Sequence, residues 1–173
     1  MIPVRQLVWL SMLLLLALCM GCSGYRLGPT NGLKAGEKSI QVLPFTNETL
    51  EARLSDAVTQ SLRRTLQQDG TYRLDTSGNA DYVVKGVISQ FRRAPLSYQP
   101  SDTATVRDYR LAMVAKITLF ERATGKVILE KSVVGRSALS VGADLASGER
   151  EAIPVLADDL AHNAASVLVD GAW

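Results

Sequence analysis

"YRLAMVAKITLF", Tyr109–Phe120, decides the architecture. Leu111, Met113, Ala115, Ile117 and Leu119 recur at every second position, while Arg110, Lys116 and Thr118 occupy the alternate places. In an extended chain successive side chains point to opposite faces, so this stretch is a strand with one apolar and one polar side. A sheet built from such strands is covered on one side only. Downstream, Thr124-Gly125 supplies a hairpin turn into a second strand, "KVILEKSVVG", Lys126–Gly135. Upstream lies "ADYVVKGVISQF", Ala80–Phe91, rich in β-branched residues and preceded by the turn residues Ser77-Gly78-Asn79. A fourth strand, "SIQVLPF" from Ser39, ends where Pro44 removes a ladder donor.

Two amphipathic segments supply the cover. After Asn47, a good N-cap, Leu50, Leu54, Ala57, Val58, Leu62 and Leu66 recur at helical spacing as far as Gly70. Near the C-terminus Ile153, Leu156, Leu160, Ala164, Val167 and Leu168 repeat the pattern. Pro154 is tolerable in the first turn of a helix, which sets the expected start near Glu151. His162 lies about 200° around the helix from Leu160 and points away from the stripe. The expected fold is α/β: a two-layer sandwich with a four-stranded mixed sheet and two α-helices packed on one face.

The N-terminus is of another kind. Arg5 precedes "LVWLSMLLLLALCM", Leu7–Met20, an apolar run too short to span a bilayer as a helix, which takes about 20 residues. A basic start, a short apolar centre and small Gly21 describe a secretory signal, with cleavage expected before Cys22. Cys19 and Cys22 have redox or zinc spacing, but a zinc site wants four ligands and the one histidine, His162, can supply only a third. The expected organisation is a signal peptide over residues 1–21, a lipidated N-terminus and Gly-rich tether over 22–38, and a folded domain over 39–173. Without Arg5 the 19 basic side chains fall to 18, against 17 acidic, a formal +1. That near balance gives no long-range field for nucleic acid.

Chemistry is sparse. Gly135-Arg136-Ser137-Ala138-Leu139 lacks the second glycine of a nucleophile elbow, and Gly36-Glu37-Lys38-Ser39 lacks the Gly-Lys pairing of a phosphate loop. No catalytic residue, metal site or cofactor is expected. What remains is "RRAPLSYQPSDTATVR", Arg92–Arg107, a long polar loop between strands with basic residues at both ends. Arg92 and Arg93 suit phosphate by charge-assisted bonds; the alternative is a pair of solvated strand-end charges.

"CSGYRLG" after the signal, "IQVLPFTNET" leading into a helix, "ADYVVKGVISQF", Pro95-Leu96-Ser97-Tyr98 and "VRDYRLAMVAKITLFERATGKVILEKSVVG" occur in this order before the closing helix. In that order they resemble the LptE family of lipopolysaccharide-assembly lipoproteins. The resemblance implies no enzyme but a protein of the Gram-negative outer membrane, lipid-anchored through Cys22 and facing the periplasm and barrel lumen. Its implied partners are an LptD-like β-barrel, which it plugs and helps assemble as a heterodimer, and lipopolysaccharide. It also implies lipopolysaccharide contacts from basic residues near the loop and the last strand's end, which here are Arg92, Arg93, Arg107 and Arg136. The runner-up is an LpoB-like lipoprotein that activates a peptidoglycan synthase, since Val42-Leu43-Pro44-Phe45 followed by Asn47 is shared with such modules.

Two or more acyl chains give stable membrane attachment where one is marginal. Cys22→Ala is therefore expected to accumulate as unprocessed precursor. Mass spectrometry of the wild-type mature N-terminus should find acyl chains on Cys22, and an unmodified Cys22 there would overturn the expectation.

Overall fold

The computed structural model describes residues 35–141 and 144–170. The expected signal peptide, Cys22 and most of the tether lie outside the described residues. The elements run β1 (Lys38–Val42), β2 (Thr46–Asn47), α1 (Leu54–Asp69), β3 (Tyr72–Leu74), β4 (Tyr82–Gln99), β5 (Asp102–Glu121), β6 (Val127–Ser140) and α2 (Leu145–Asp170). They form one mixed sheet, ordered β3–β1–β4–β5–β6, with β2 beside β4.

The sheet has six strands, not the four expected. The two extra strands are short. β2 pairs in parallel with β4 at Thr46↔Val87 and Asn47↔Ile88, continuing the line that β1 begins at Ile40↔Tyr82. Pro44 breaks that line, and the backbone of Phe45 turns to α1. Its N–H donates to the Thr59 hydroxyl at 3.0 Å and its carbonyl accepts from the Ser55 hydroxyl at 2.5 Å. β3 adds to the outer edge of β1 in parallel. Three residues carry too little alternation to be seen in a sequence.

One-sidedness holds as Tyr109–Phe120 demanded. Leu111, Met113, Ala115, Ile117 and Leu119 are all fully buried, while Arg110 and Lys116 are exposed. Both helices cover that buried face, α1 through Leu54, Val58, Leu62 and Leu66, and α2 through Leu156, Leu160, Ala164 and Leu168. His162 is exposed, as its position on the helix required.

Three expected boundaries move. Asn47 does not cap α1: its Oδ1 accepts the Thr49 N–H at 3.0 Å and its Nδ2 donates to the Glu51 carbonyl at 2.8 Å, folding the β2–α1 loop. The helix starts only at Leu54, so Leu50 falls outside the buried stripe and is fully exposed. α2 starts at Leu145, which places Pro154 well inside it. A local cap and a tertiary tie hold the extra turns: the Asp144 carboxylate accepts the Ser147 N–H at 2.7 Å, and Glu149 pairs with Arg93 on β4 at 2.7 Å. Pro154 lies on the exposed side, where its ring meets no packed neighbour layer. The long polar loop is not a loop. β4 and β5 run on to a two-residue turn at Pro100-Ser101, with Gln99 opposite Asp102.

The backbone of β6 meets that of α2 closely at Gly135. A Cβ there would stand 2.6 Å from the Leu160 Cβ and 2.8 Å from the Leu156 carbonyl oxygen. Only glycine lets α2 come this close to β6. Gly135→Ala should therefore destabilise the fold by roughly 1–3 kcal/mol, through displacement of α2. Leu160→Ala should lose roughly 2–5 kcal/mol to a cavity, and His162→Ala should be near neutral. Thermal melts that coincide for all three would show these helix faces to be wrongly placed.

Candidate functional site

The open face of the sheet is built by register. β4, β5 and β6 pair antiparallel with Arg92 opposite Ala112 and Ala112 opposite Arg136. One row nearer the hairpin turn, Ala94 is opposite Arg110 and Arg110 opposite Ala138. Residues opposite one another in a ladder share a face, and so do residues two apart along a strand. The result is a lattice of arginine and alanine: Arg–Ala–Arg in one row, Ala–Arg–Ala in the next. Strands lie about 4.8 Å apart, so Arg92 and Arg136 are roughly 10 Å apart across the sheet, with Arg110 between them and one row on. All three are exposed, and their guanidinium groups have no ion pair among the described residues. The small alanines leave the space between them open.

Two contacts fix the Arg136 end. Its backbone N–H donates to Asp159 Oδ2 at 2.8 Å, and the Val134 carbonyl accepts from Asn163 Nδ2 at 2.9 Å. These α2 side chains satisfy outward-facing groups on the edge strand.

The next row towards the turn holds an acid. Asp108 lies opposite Ser97 on β4 and Ser140 on β6. Its carboxylate accepts from the Ser97 hydroxyl, the Ser140 hydroxyl (2.7 Å) and Arg107 Nε (2.9 Å), and these bonds hold it down at about 2. Asp108 is thus ionised across the physiological range and already bonded by its own neighbours. Lower on the face, Lys116 pairs with Glu130 at 2.8 Å and Lys85 lies 5.1 Å from the Phe120 ring centre. The arginine rows are where positive charge stands without an internal partner.

The four arginines singled out from sequence therefore divide. Arg92 and Arg136 come together. Arg107 is tied to Asp108. Arg93 is one residue from Arg92 and so on the other face, opposite Leu111, where its Nη1 is 2.7 Å from Glu149 Oε1. Glu149 is buried beneath it. Sequence reasoning missed Arg110. Its signal was its place on the polar side of Tyr109–Phe120, but only the register shows it between Arg92 and Arg136. Among the described residues no group of His, Cys, Asp and Glu could hold a metal ion, and no helix is long and apolar enough to cross a membrane. A cleft of about 450 Å³ opens where β2 leaves β4, but Glu48 and Glu51 line it beside Arg92 and Arg93, so it is mixed in charge.

The family described as LptE, lipopolysaccharide-assembly, matches residues 37–165. Among solved structures, a protein of Xanthomonas campestris aligns with a TM-score of 0.57 at 11% identity, over 83% of this chain and 88% of that one. A minor lipoprotein of Acinetobacter baumannii aligns with a TM-score of 0.53 at 16% identity, over 77% and 93%. At such identities they show a shared fold. No curated protein matches the sequence.

The depressed Asp108 makes a pH prediction. A carboxylate whose folded pKa lies below its unfolded value contributes stability that is present above about pH 4 and lost as pH falls towards about 2. The difference in melting temperature between wild type and Asp108→Asn should accordingly be constant from neutral pH down to about pH 4 and shrink below it. A difference that keeps its full size at pH 2 would show that Asp108 does not tie the three strands together.

Proposed function

Since the chain belongs to the LptE family of lipopolysaccharide-assembly proteins, we propose that it is a lipoprotein anchored through Cys22 in the outer membrane, partner and plug of an LptD-type β-barrel, and that its open sheet face contacts lipopolysaccharide during transport to the outer leaflet. The observation that carries the ligand half of this reading is the arginine–alanine lattice: Arg92, Arg110 and Arg136, exposed, unpaired and on one face. Lipid phosphates are anionic and acceptor-rich, and guanidinium groups bind them with directed, charge-assisted bonds. With a formal charge of only +1 on the mature chain, attraction comes from this local cluster and not from the whole molecule. No catalytic step enters the reading. The protein binds, positions and assembles.

The partner half rests on family membership. A plug held in a barrel lumen needs extensive surface contact, so the pair should survive dilution and size-exclusion chromatography.

Arg92→Ser combined with Arg136→Ser should weaken lipopolysaccharide binding by tenfold or more with little change in melting temperature. Arg93→Ser should do the reverse. It leaves the buried Glu149 carboxylate without its ion pair and should destabilise by roughly 1–2 kcal/mol, while affinity changes little. Wild-type binding should also weaken as salt rises, because the attraction is screened. If the double variant binds like wild type at low and high salt, the lattice is a solvated face. If pull-down of the native protein recovers a penicillin-binding protein in place of a barrel, the partner half gives way to the peptidoglycan-synthase reading.

A further inference from the structure

The outer side of β4 changes character along its length. As far as Ile88 it is paired, first with β1 and then with β2, whose line ends where the Glu48 N–H donates to the Ile88 carbonyl at 2.9 Å. From there the chain turns off to α1, and β4 runs on to Gln99 with no strand on that side. The ladder fixes which backbone groups are left over. The Ile88 carbonyl points at β2, but the register then skips Ser89, so that Gln90 lies opposite Val114 and Arg92 opposite Ala112. That bulge exchanges the roles of odd and even residues. Gln90, Arg92 and Ala94 turn their backbone groups to β5, while Phe91, Arg93 and Pro95 turn theirs outward. The far edge of the sheet agrees. The Arg136 N–H faces away from β5 to reach Asp159, which puts the backbone groups of Ala112, opposite it, on the β4 side.

The result is a slot of fixed length. Phe91 and Arg93 each offer an N–H and a carbonyl with no backbone partner among the described residues. Pro95 offers a carbonyl but no N–H, and so closes the slot. Its near half opens into the cleft of about 450 Å³ whose other wall is Glu48–Glu51. Of the four charges lining that cleft, two are paired: Glu51 with Arg53 at 2.8 Å, and Arg93 with Glu149. Glu48 and Arg92 have no ion pair among the described residues. Arg92 is on the open face; half-buried Phe91, opposite Met113, is on the other, and fully exposed Leu50 lines the same cleft.

We propose that the Phe91–Pro95 edge of β4 docks an extended segment of a partner protein, an acidic residue flanked by apolar β-formers, which continues the β1–β2 line. Unpaired groups in ladder register call for an extended chain. Arg92 calls for a carboxylate on the open face, and Phe91 with Leu50 calls for apolar side chains on either side of that acid, which point to the other face. In strand addition of this kind main-chain bonds supply affinity and alternate side chains supply specificity. A second copy of this chain fits poorly: two Phe91–Arg93 edges paired antiparallel set Arg92 against Arg92 or Arg93 against Arg93, according to register. The slot takes protein, not lipid, and stands whether or not the arginine rows hold phosphate.

The test titrates the full-length protein, in nanodiscs of zwitterionic lipid, with a fluorescent capped peptide Thr-Val-Glu-Val-Thr and with its counterpart carrying Lys in place of Glu. Two further versions of the Glu peptide carry N-methyl groups on alternate residues, one set for each edge of the extended chain. Wild type should bind the Glu peptide roughly tenfold or more tighter than the Lys peptide. One N-methyl version should lose binding and the other keep it, since only one edge of the peptide meets β4. Arg92→Glu should reverse the preference between the Glu and Lys peptides. Phe91→Pro removes an outward N–H without touching the β5 ladder and should lose the Glu peptide, whereas Phe91→Leu should keep it. Should Phe91→Pro fail to fold, the N-methyl pair and the Arg92→Glu reversal decide. If the Glu peptide does not bind, if both N-methyl versions bind alike, or if Arg92→Glu leaves the preference unchanged, the proposal is overturned. If light scattering finds wild type dimeric and Phe91→Pro monomeric, the occupant is a second copy and the partner assignment is wrong.

Discussion

The close approach of α2 to β6 at Gly135 is the constraint on which the remaining architecture depends. With Leu156 and Leu160 seated over a residue that has no side chain, the helix lies hard against the last strand and closes the buried face. Its flank then reaches the strand's outer edge, where Asp159 takes the N–H of Arg136 and Asn163 gives to the carbonyl of Val134. An edge strand with free donors and acceptors is a template for unwanted pairing. Here the middle of that edge is satisfied by the same helix that fills the core. The packing also commits every second residue of β4, β5 and β6 to the opposite, open side, and so decides which basic residues can act together.

That commitment explains why adjacent arginines have different fates. Arg92 and Arg93 are equal in sequence, but strand geometry sends them to opposite faces. Arg93 meets Glu149, a carboxylate buried in the first turns of α2, and serves to fasten the helix start to the sheet. Arg92 lies opposite Ala112 on the open face, in the row that ends at Arg136, with no ion pair among the described residues. The distinction is parity, and a basic pair in a strand must be read residue by residue.

How much of this was legible in the sequence follows from how much each stretch is buried on one side. Tyr109–Phe120 alternates because one face is in the core, and its hairpin neighbour and the one-sided cover could be inferred from it. The helical stripes of Leu54–Leu66 and Ile153–Leu168 were legible for the same reason. Arg92–Gln99 carried no such signature, since nearly every residue in it is exposed, and with Pro95 inside it and Pro100 after it the stretch has the composition of a loop. The start of α1 was misplaced because distant contacts bear on it, with Ser55 and Thr59 binding Phe45, and that of α2 because the local Asp144–Ser147 cap is joined by the distant Glu149–Arg93 pair. The arginine lattice was half legible. Arg92 and Arg136 could be picked by charge and position, but their meeting around Ala112, and the inclusion of Arg110, depend on strand register, which one sequence does not print.

The length of β4 has a consequence for where the hairpin turn stands. The chain enters the sheet at Lys38, beside the start of β4, whereas the arginine rows lie past the middle of that strand and the Pro100-Ser101 turn at its far end. Eighteen residues of strand make that axis roughly 55 Å long. The sixteen residues from Cys22 to Lys38 reach at most about 55 Å even when fully extended. With a lipid on Cys22, the turn could touch the leaflet that holds the anchor only if the tether ran taut along the whole sheet. The sheet is in effect a stand-off: it carries its hairpin turn to the end farthest from the point where the chain enters it.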